Sequence, residues 1–397
     1  MRSLIPSLVL SVLAWATLRG FWPAVRTWRG GALFALAVFL VHGGFLAAKH
    51  PGAGVFAPLT QAVLTAWMVA SLVTIVVGVP LWILGWLRRR VLKRAPLLAP
   101  QPAAVGVPQV DTSRRRFLGM ALPVTAASVG TAGTAAAFHG FEVRHEEFRI
   151  PGLPRGLDGL RIGHLTDVHV GDFIDTDYLR RAVAALDAEG VDLQVMTGDL
   201  IDDMSELEPT LDALESTRAP HGMVAVIGNH EIWRGERQVV QGYARRAANG
   251  RLRYLQDQNL LVEHNGTPLR IVGVDYPMQR GGRHRAPKEI RDGLMRTSAE
   301  RGWRGVREGE TVLCLTHHPD FFPFAAERGA ALTLAGHTHG GQVGFMRMPL
   351  FFFAYEHMIG RYRRGASQLY VGSGTGHWLP FRVGMAAEVT VLTLRSA

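Results

Sequence analysis

Between Arg161 and Gln342, five short apolar runs each stop abruptly at a cluster of Asp, Asn or His. Arg161–Leu165 runs into Thr166-Asp167-Val168-His169, and Leu193–Thr197 into Gly198-Asp199-Leu200-Ile201-Asp202. Met223–Ile227 leads to Gly228-Asn229-His230-Glu231, Thr311–Leu315 to Thr316-His317-His318-Pro319, and Ala331–Leu334 to Gly336-His337-Thr338-His339-Gly340-Gly341-Gln342. Runs of four or five residues are strand-sized and too short for buried helices. A further strand is expected at 269–274, and amphipathic helices at 177–189, 207–216 and 238–248. Strands alternating with helices predict a layered α/β fold, in which loops at the C-terminal strand ends gather at one place.

The clusters carry one chemistry. Asp167, His169, Asp199, Asn229, His317, His337 and His339 supply carboxylate, amide and imidazole donors, a mixture that suits Mn, Zn or Fe better than the all-oxygen shells of Ca or Mg. Seven donors are too many for one such ion and fit two divalent metal ions sharing a carboxylate. A pair of ions about 3.5–4 Å apart can clamp a phosphoryl group and make water acidic near neutral pH. The expected reaction is therefore hydrolysis of a phosphate ester or anhydride. His318 is an alternative to His317, but the His-x-Pro spacing favours His317. His164 and Asp203 are expected beside the site or in solvent. Glycines 198, 228, 336, 340 and 341 allow tight turns and close approach. Cys314, the only cysteine, excludes an intrachain disulfide and sits in an apolar run, as expected of a buried inert thiol.

The N-terminal third obeys different rules. Residues 31–48 and 57–87 are long and apolar enough to cross a bilayer, and 4–18 is a shorter third candidate. Before residue 117 the only acid is Asp111, whereas arginines flank the apolar stretches at positions 19, 26, 29 and 88–90. The net charge of +10 is therefore a topology signal and not a footprint for nucleic acid, and it places those flanks in the cytoplasm. We expect a transmembrane region at 1–90 with about three helices and a basic, proline-rich cytoplasmic linker at 91–116. Ser113-Arg114-Arg115-Arg116-Phe117-Leu118-Gly119 and the mild apolar run behind it resemble a twin-arginine export signal. A fourth transmembrane helix at 117–138 is the alternative. Either places a catalytic domain at 141–397 on the extracytoplasmic side of the cytoplasmic membrane, with the signal retained as anchor.

The order Asp-x-His, Gly-Asp-x-x-Asp, Gly-Asn-His-Glu, His-x-Pro, Gly-His-x-His resembles the calcineurin-like metallophosphoesterase superfamily. Gln342, Leu369-Tyr370-Val371 and Leu379-Pro380-x-Arg382 look like its bacterial membrane-associated branch. The resemblance implies a four-layer αββα sandwich. It also implies Asp167, His169 and His339 on one metal, Asn229, His317 and His337 on the other, and Asp199 bridging. It makes His230 the catalytic residue that meets the phosphate and protonates the leaving oxygen, with Asp202 orienting its neighbours. Where the branch reads Ser-Arg-Gly-x-Gly, this chain has Gly372-Ser373-Gly374-Thr375-Gly376, without the arginine. The implied function is hydrolysis of a phosphodiester or pyrophosphate, on a phosphate-containing small molecule or on an envelope lipid such as the lipid A precursor UDP-diacylglucosamine. Alternatives are a phosphomonoesterase or protein phosphatase, or a membrane protein that binds phospholigands without turnover. Arg361, Arg363, Arg364 and Arg382 are candidates for a second phosphate. Leu350–Phe353 with Trp378, Leu379 and Phe381 form either an apolar substrate wall beside the membrane or ordinary core.

Overall fold

The chain is described by a computed structural model covering residues 4–48, 56–93, 112–279 and 286–397. It divides into two compact units, Met1–Ala136 and Ala137–Ala397. Most of the proline-rich linker, 94–111, lies outside the described residues.

The first unit is helical: α1 (Leu4–Phe21), α2 (Trp28–Ala47), α3 (Phe56–Lys93) and α4 (Thr112–Ala137). Trp28–Ala47 and Leu59–Arg88 are long and apolar enough to cross a membrane, whereas the apolar part of α1 is shorter. Leu33, Phe39, Leu40 and Val76 point outward at 60–70% exposure, which water would penalise and lipid would not. Inside the bundle some polar side chains bond across helices, which an apolar surrounding favours. Trp67 Nε1 donates to Ser11 Oγ at 2.8 Å, and His42 Nε2 lies 2.9 Å from Ser7 Oγ. A Cβ at Gly130 of α4 would stand 2.5 Å from the Ala66 carbonyl oxygen of α3, so the missing side chain lets the two backbones approach.

The second unit has two six-stranded sheets. One runs β1 (Phe141–Ile150), β14 (Ala387–Ser396), β2 (Arg161–Leu165), β3 (Leu193–Thr197), β4 (Met223–Val226), β5 (Leu252–Tyr254). The other runs β12 (Gly360–Arg364), β13 (Ser367–Val371), β9 (Leu332–Ala335), β8 (Thr311–Leu315), β7 (Thr267–Gly273), β6 (Gln258–His264). A two-stranded hairpin, β10 (Gly344–Phe345) with β11 (Met348–Pro349), stands apart. Both sheets are mixed; β2 through β5 are parallel, as are β7, β8, β9 and β13.

Side-chain alternation along the strands builds the layers. Leu193 and Val195 of β3 meet Leu313 and Leu315 of β8 in the core between the sheets. Met196 of β3 turns the other way, onto α5 (Thr176–Ala188), α6 (Leu207–Glu215) and α7 (Asn229–Arg246). Val312 and Cys314 of β8 face α8 (Lys288–Gly302) and α9 (Phe322–Glu327). The order helix, sheet, sheet, helix is the four-layer sandwich. Cys314 is fully buried, and burial pushes its thiol pKa up.

One expected helix starts early. α7 begins at Asn229, not 238, so Asn229-His230-Glu231 form its first turn and a kink at Gly235 precedes the amphipathic part. The capping carboxylate of Glu231, which accepts from Gly228 N at 2.7 Å, draws the helix back to the motif.

Candidate metal centre

The five clusters meet where the C-terminal ends of β2, β3, β4, β8 and β9 open. Short backbone bonds lace their loops together: Asp167 N donates to Gly198 O at 2.9 Å, His169 N to Asp199 O at 3.0 Å and Gly336 N to His317 O at 3.2 Å. Five of the donor residues, Asp167, His169, Asp199, His337 and His339, hold positive φ between 50° and 75°. That region costs a residue with a Cβ, and strain concentrated on potential ligands is the mark of a site whose surroundings fix it. Two glycines let the loops close. A Cβ on Gly336 would stand 1.9 Å from Thr166 Oγ1, and one on Gly228 2.2 Å from Asp199 Oδ1.

Two sets of donors result. Asp167, His169 and His339 offer atoms within 4.8 Å of one another, and so do Asp199, His317 and His337. In the first set His169 Nε2 faces His339 Nε2 at 3.0 Å, with His339 Nε2 3.4 Å from Asp167 Oδ1. In the second, His337 Nδ1 faces His317 Nε2 at 3.2 Å. Asp199 Oδ2 sits between the sets, 3.1 Å from His317 Nε2 and 3.9 Å from His169 Nε2. Asn229 Oδ1 is buried with no hydrogen-bond partner. A buried amide oxygen without a partner is unfavourable as it stands, and the imidazole and carboxylate atoms converging beside it are donors that a borderline divalent cation takes. The donor set therefore fits divalent metal ions.

Electrostatics point the same way. Burial raises the Asp167 pKa despite His317, whereas at Asp199 the neighbouring His317 and His230 outweigh burial and hold the carboxylate well below its usual range. Burial lowers His339, helped by His169 and Arg382. At His317 burial is overcome by Asp199, and its pKa rises to about 9. Four protonatable groups pulled apart in this way mark a functional site.

His230 and Asp202 adjoin the two sets. Asp202 Oδ1 accepts from His230 Nδ1 at 2.5 Å, and Asp202 Oδ2 lies 3.3 Å from His169 Nδ1. One carboxylate thus orients two rings, leaving both Nε2 atoms turned inward. His169, Asp202 and His230 also form a third group of close donors.

His318 packs its ring 4.6 Å from that of His337 but belongs to neither donor set: its Nδ1 accepts from Asp320 N at 3.2 Å as a helix cap. His164 is not in solvent but 2% exposed, with Nε2 2.8 Å from Thr197 Oγ1. Burial drives its pKa down to about 4. Between pH 6.5 and 4 the unfolded chain therefore takes up a proton that the folded chain refuses, and stability falls as pH falls through that window, by up to ~3 kcal/mol. We expect His164→Gln to flatten the acid limb of the unfolding midpoint against pH; an unchanged limb contradicts it. Asp203 is exposed and accepts from Ser205 N.

Three features were not legible in the motifs. Glu231, 1% exposed, accepts from Gly228, Asp199, Leu200 and Ile201 backbone N–H at 2.6–3.1 Å. It pins the second and third loops together, and burial raises its pKa. Glu231→Ala leaves four donors orphaned and should cost about 3–5 kcal/mol, read as a lowered unfolding midpoint that Glu231→Gln partly restores. Tyr276 packs on the His317 and His337 rings, and Tyr355 Oη lies 3.2 Å from His337 Nε2. Arg382 is no surface phosphate ligand. It is 2% exposed, donates to the Ser373, Gly376 and Met385 carbonyls at 2.5–3.0 Å, and stands 3.4 Å from His339 Nδ1. It holds together the loop whose own arginine is missing. Arg361 pairs with Glu146 and Arg364 with Glu327, while Arg363 donates to the Gly365 carbonyl.

A model of the calcineurin-like phosphoesterase family matches residues 160–341. The uncharacterized metallophosphoesterase YkuE of Bacillus subtilis is 26% identical over 299 residues, covering 72% of this chain and 98% of that protein. An uncharacterized metallophosphoesterase of Campylobacter jejuni is 28% identical, covering 64% and 63%. A Danio rerio protein named transmembrane protein with metallophosphoesterase domain is 27% identical, covering 63% and 56%. The match thus spans nearly all of the Bacillus protein but under two thirds of the other two. Among solved structures, a dimetal phosphatase from Danio rerio is 16% identical, covering 59% of this chain and 99% of that one, with a TM-score of 0.35.

Proposed function

Since this chain carries a calcineurin-like metallophosphoesterase domain and is a hydrolase of phosphoesters, we propose that it cleaves a phosphodiester or pyrophosphate bond at the centre built from Asp167, His169, Asp199, Asn229, His317, His337 and His339. The observation that carries this reading is Asp199 Oδ2 lying within 4 Å of an imidazole from each donor set. Asp167, His169 and His339 would hold one Mn, Zn or Fe ion, Asn229, His317 and His337 a second, with Asp199 between. Such ions supply positive charge for the phosphoryl oxygens and lower the pKa of water.

The protein's own groups do the rest. Asp202 fixes the His230 Nδ1 proton, so Nε2 is the atom that faces the phosphate. Burial alone would lower the His230 pKa, but Asp199 and Asp202 outweigh it and raise it. A protonated His230 can hand its Nε2 proton to the leaving oxygen as the P–O bond breaks.

The finer reading concerns substrate and place. We assign residues 1–90 to membrane spans, 91–116 to a cytoplasmic linker and 117–138 to a retained export-type anchor, with the catalytic domain at 141–397 outside the cytoplasmic membrane. Apolar α2 and the arginines flanking it support this. A C-terminal reporter that works only in the cytoplasm would contradict the orientation. The substrate class is a phosphate-containing small molecule or envelope lipid, UDP-diacylglucosamine being the named candidate. Purified full-length chain should hydrolyse bis(p-nitrophenyl) phosphate and stop when metal is chelated; undiminished hydrolysis after chelation refutes the proposal.

A further inference from the structure

Directly after the His337–His339 motif, six large apolar side chains stand in solvent: Phe345, Met346, Met348, Leu350, Phe352 and Phe353 are 58–79% exposed. Water-facing monomers seldom carry so dense an apolar ridge unless it docks on something. Nor is the ridge a slack loop. Its hairpin pairs Phe345 with Met348, and the two turn residues, Met346 and Arg347, both hold positive φ, 49° and 62°, which side chains with a Cβ avoid. The Arg347 guanidinium reaches back to the buried Glu388 carboxylate at 2.8 Å. That pair turns the segment's only charge inward and leaves the outer edge wholly apolar. The far end is tied as firmly, by Tyr355 Oη at 3.2 Å from His337 Nε2. The ridge is therefore strung between Glu388 of β14 and His337 of the metal centre.

Two observations choose the occupant. No Asp or Glu occurs between Glu327 and Glu356, so nothing on the segment repels an anionic surface. The same chain also carries two helices long and apolar enough to cross a bilayer, which keeps a lipid surface within reach of the domain. Phenylalanines and methionines beside one inward-turned arginine suit the boundary between headgroups and acyl chains.

We infer that segment 344–354 docks into the interfacial layer of a phospholipid bilayer and brings the metal centre to the headgroups. The substrate that follows is a phosphoester borne by a bilayer lipid; this second half rests on the hydrolase reading above.

The test uses full-length protein in phosphatidylcholine–phosphatidylglycerol nanodiscs. Cys314 is fully buried, so Met346→Cys can be labelled selectively with an environment-sensitive dye, with the exposed Asp177→Cys as control. The dye at 346 should shift to the blue and be quenched severalfold more by spin-labelled lipid than by aqueous iodide, with the opposite order at 177. A dye at 346 that behaves like the one at 177 overturns the docking. So does a blue shift without lipid quenching, which a protein partner or second copy would give. For the second half, Phe352→Asp/Phe353→Asp should slow hydrolysis of disc-borne UDP-diacylglucosamine or phosphatidylglycerol about tenfold, and that of bis(p-nitrophenyl) phosphate less than about twofold. Equal effects on both, or a wild-type chain active on the soluble diester alone, overturn it. Inactivity on every ester would sink the hydrolase reading while leaving the dye result to judge the docking.

Discussion

Replacing Asp199 by alanine should abolish phosphodiester hydrolysis and lower the metal content of the purified chain together. Its Oδ2 lies near both donor sets, 3.1 Å from His317 and 3.9 Å from His169. Its Oδ1 accepts from His230 N at 2.8 Å and so also sets the start of α7. Without the carboxylate, the positive charge of two ions would face only Asp167 among the proposed ligands. The loss in kcat/KM should be on the order of 10³-fold or more, the scale on which preorganised charge stabilisation matters. Asp199→Asn keeps an acceptor for the His230 amide while removing the charge, so it separates metal loss from disruption of the helix start. A variant that keeps two ions per chain contradicts the bridging role.

The second large effect is His230→Ala, with metal content expected to stay at the wild-type level. His230 belongs to neither proposed ligand set, and its Nε2 stands 3.9 Å from Asp199 Oδ2. A general acid contributes about 10²–10⁴-fold, and most to a leaving group that needs the proton. Hydrolysis of an alkyl phosphodiester should therefore fall far more than that of a p-nitrophenyl ester, whose leaving oxygen is already stable as an anion. Asp202→Asn should cost less, because it disturbs the orientation of His230 without removing it. Equal losses on both esters, or the departure of a metal ion, would instead place His230 among the ligands, as its closeness to His169 and Asp202 allows.

The strands that carry the site were legible because each announces itself twice, by an apolar run and by the polar cluster that ends it. β2, β3 and β8 lie at the expected residues. Other parts obey contacts remote in sequence. β1 pairs in parallel with β14, joining Phe141 to Ala387, and its heavily charged stretch Phe141–Ile150 has no apolar alternation to reveal it. Glu231 stood in plain view within its motif, yet three of its four donors lie some thirty positions upstream. Nothing in the spacing marks Tyr355 either, since the hairpin that returns it to His337 is itself held by an ion pair between Arg347 and Glu388, 41 positions apart. Arg382 looked like one more surface arginine because its partners are backbone carbonyls, which leave no trace in residue type.

The most direct measurement is elemental analysis of purified full-length protein, wild type beside Asp199→Ala, with folding of both checked by thermal unfolding. Two ions of Mn, Zn or Fe per wild-type chain, and clearly fewer in the variant, is the expected result. A folded, active wild-type chain without bound transition metal would contradict the assignment of these seven side chains.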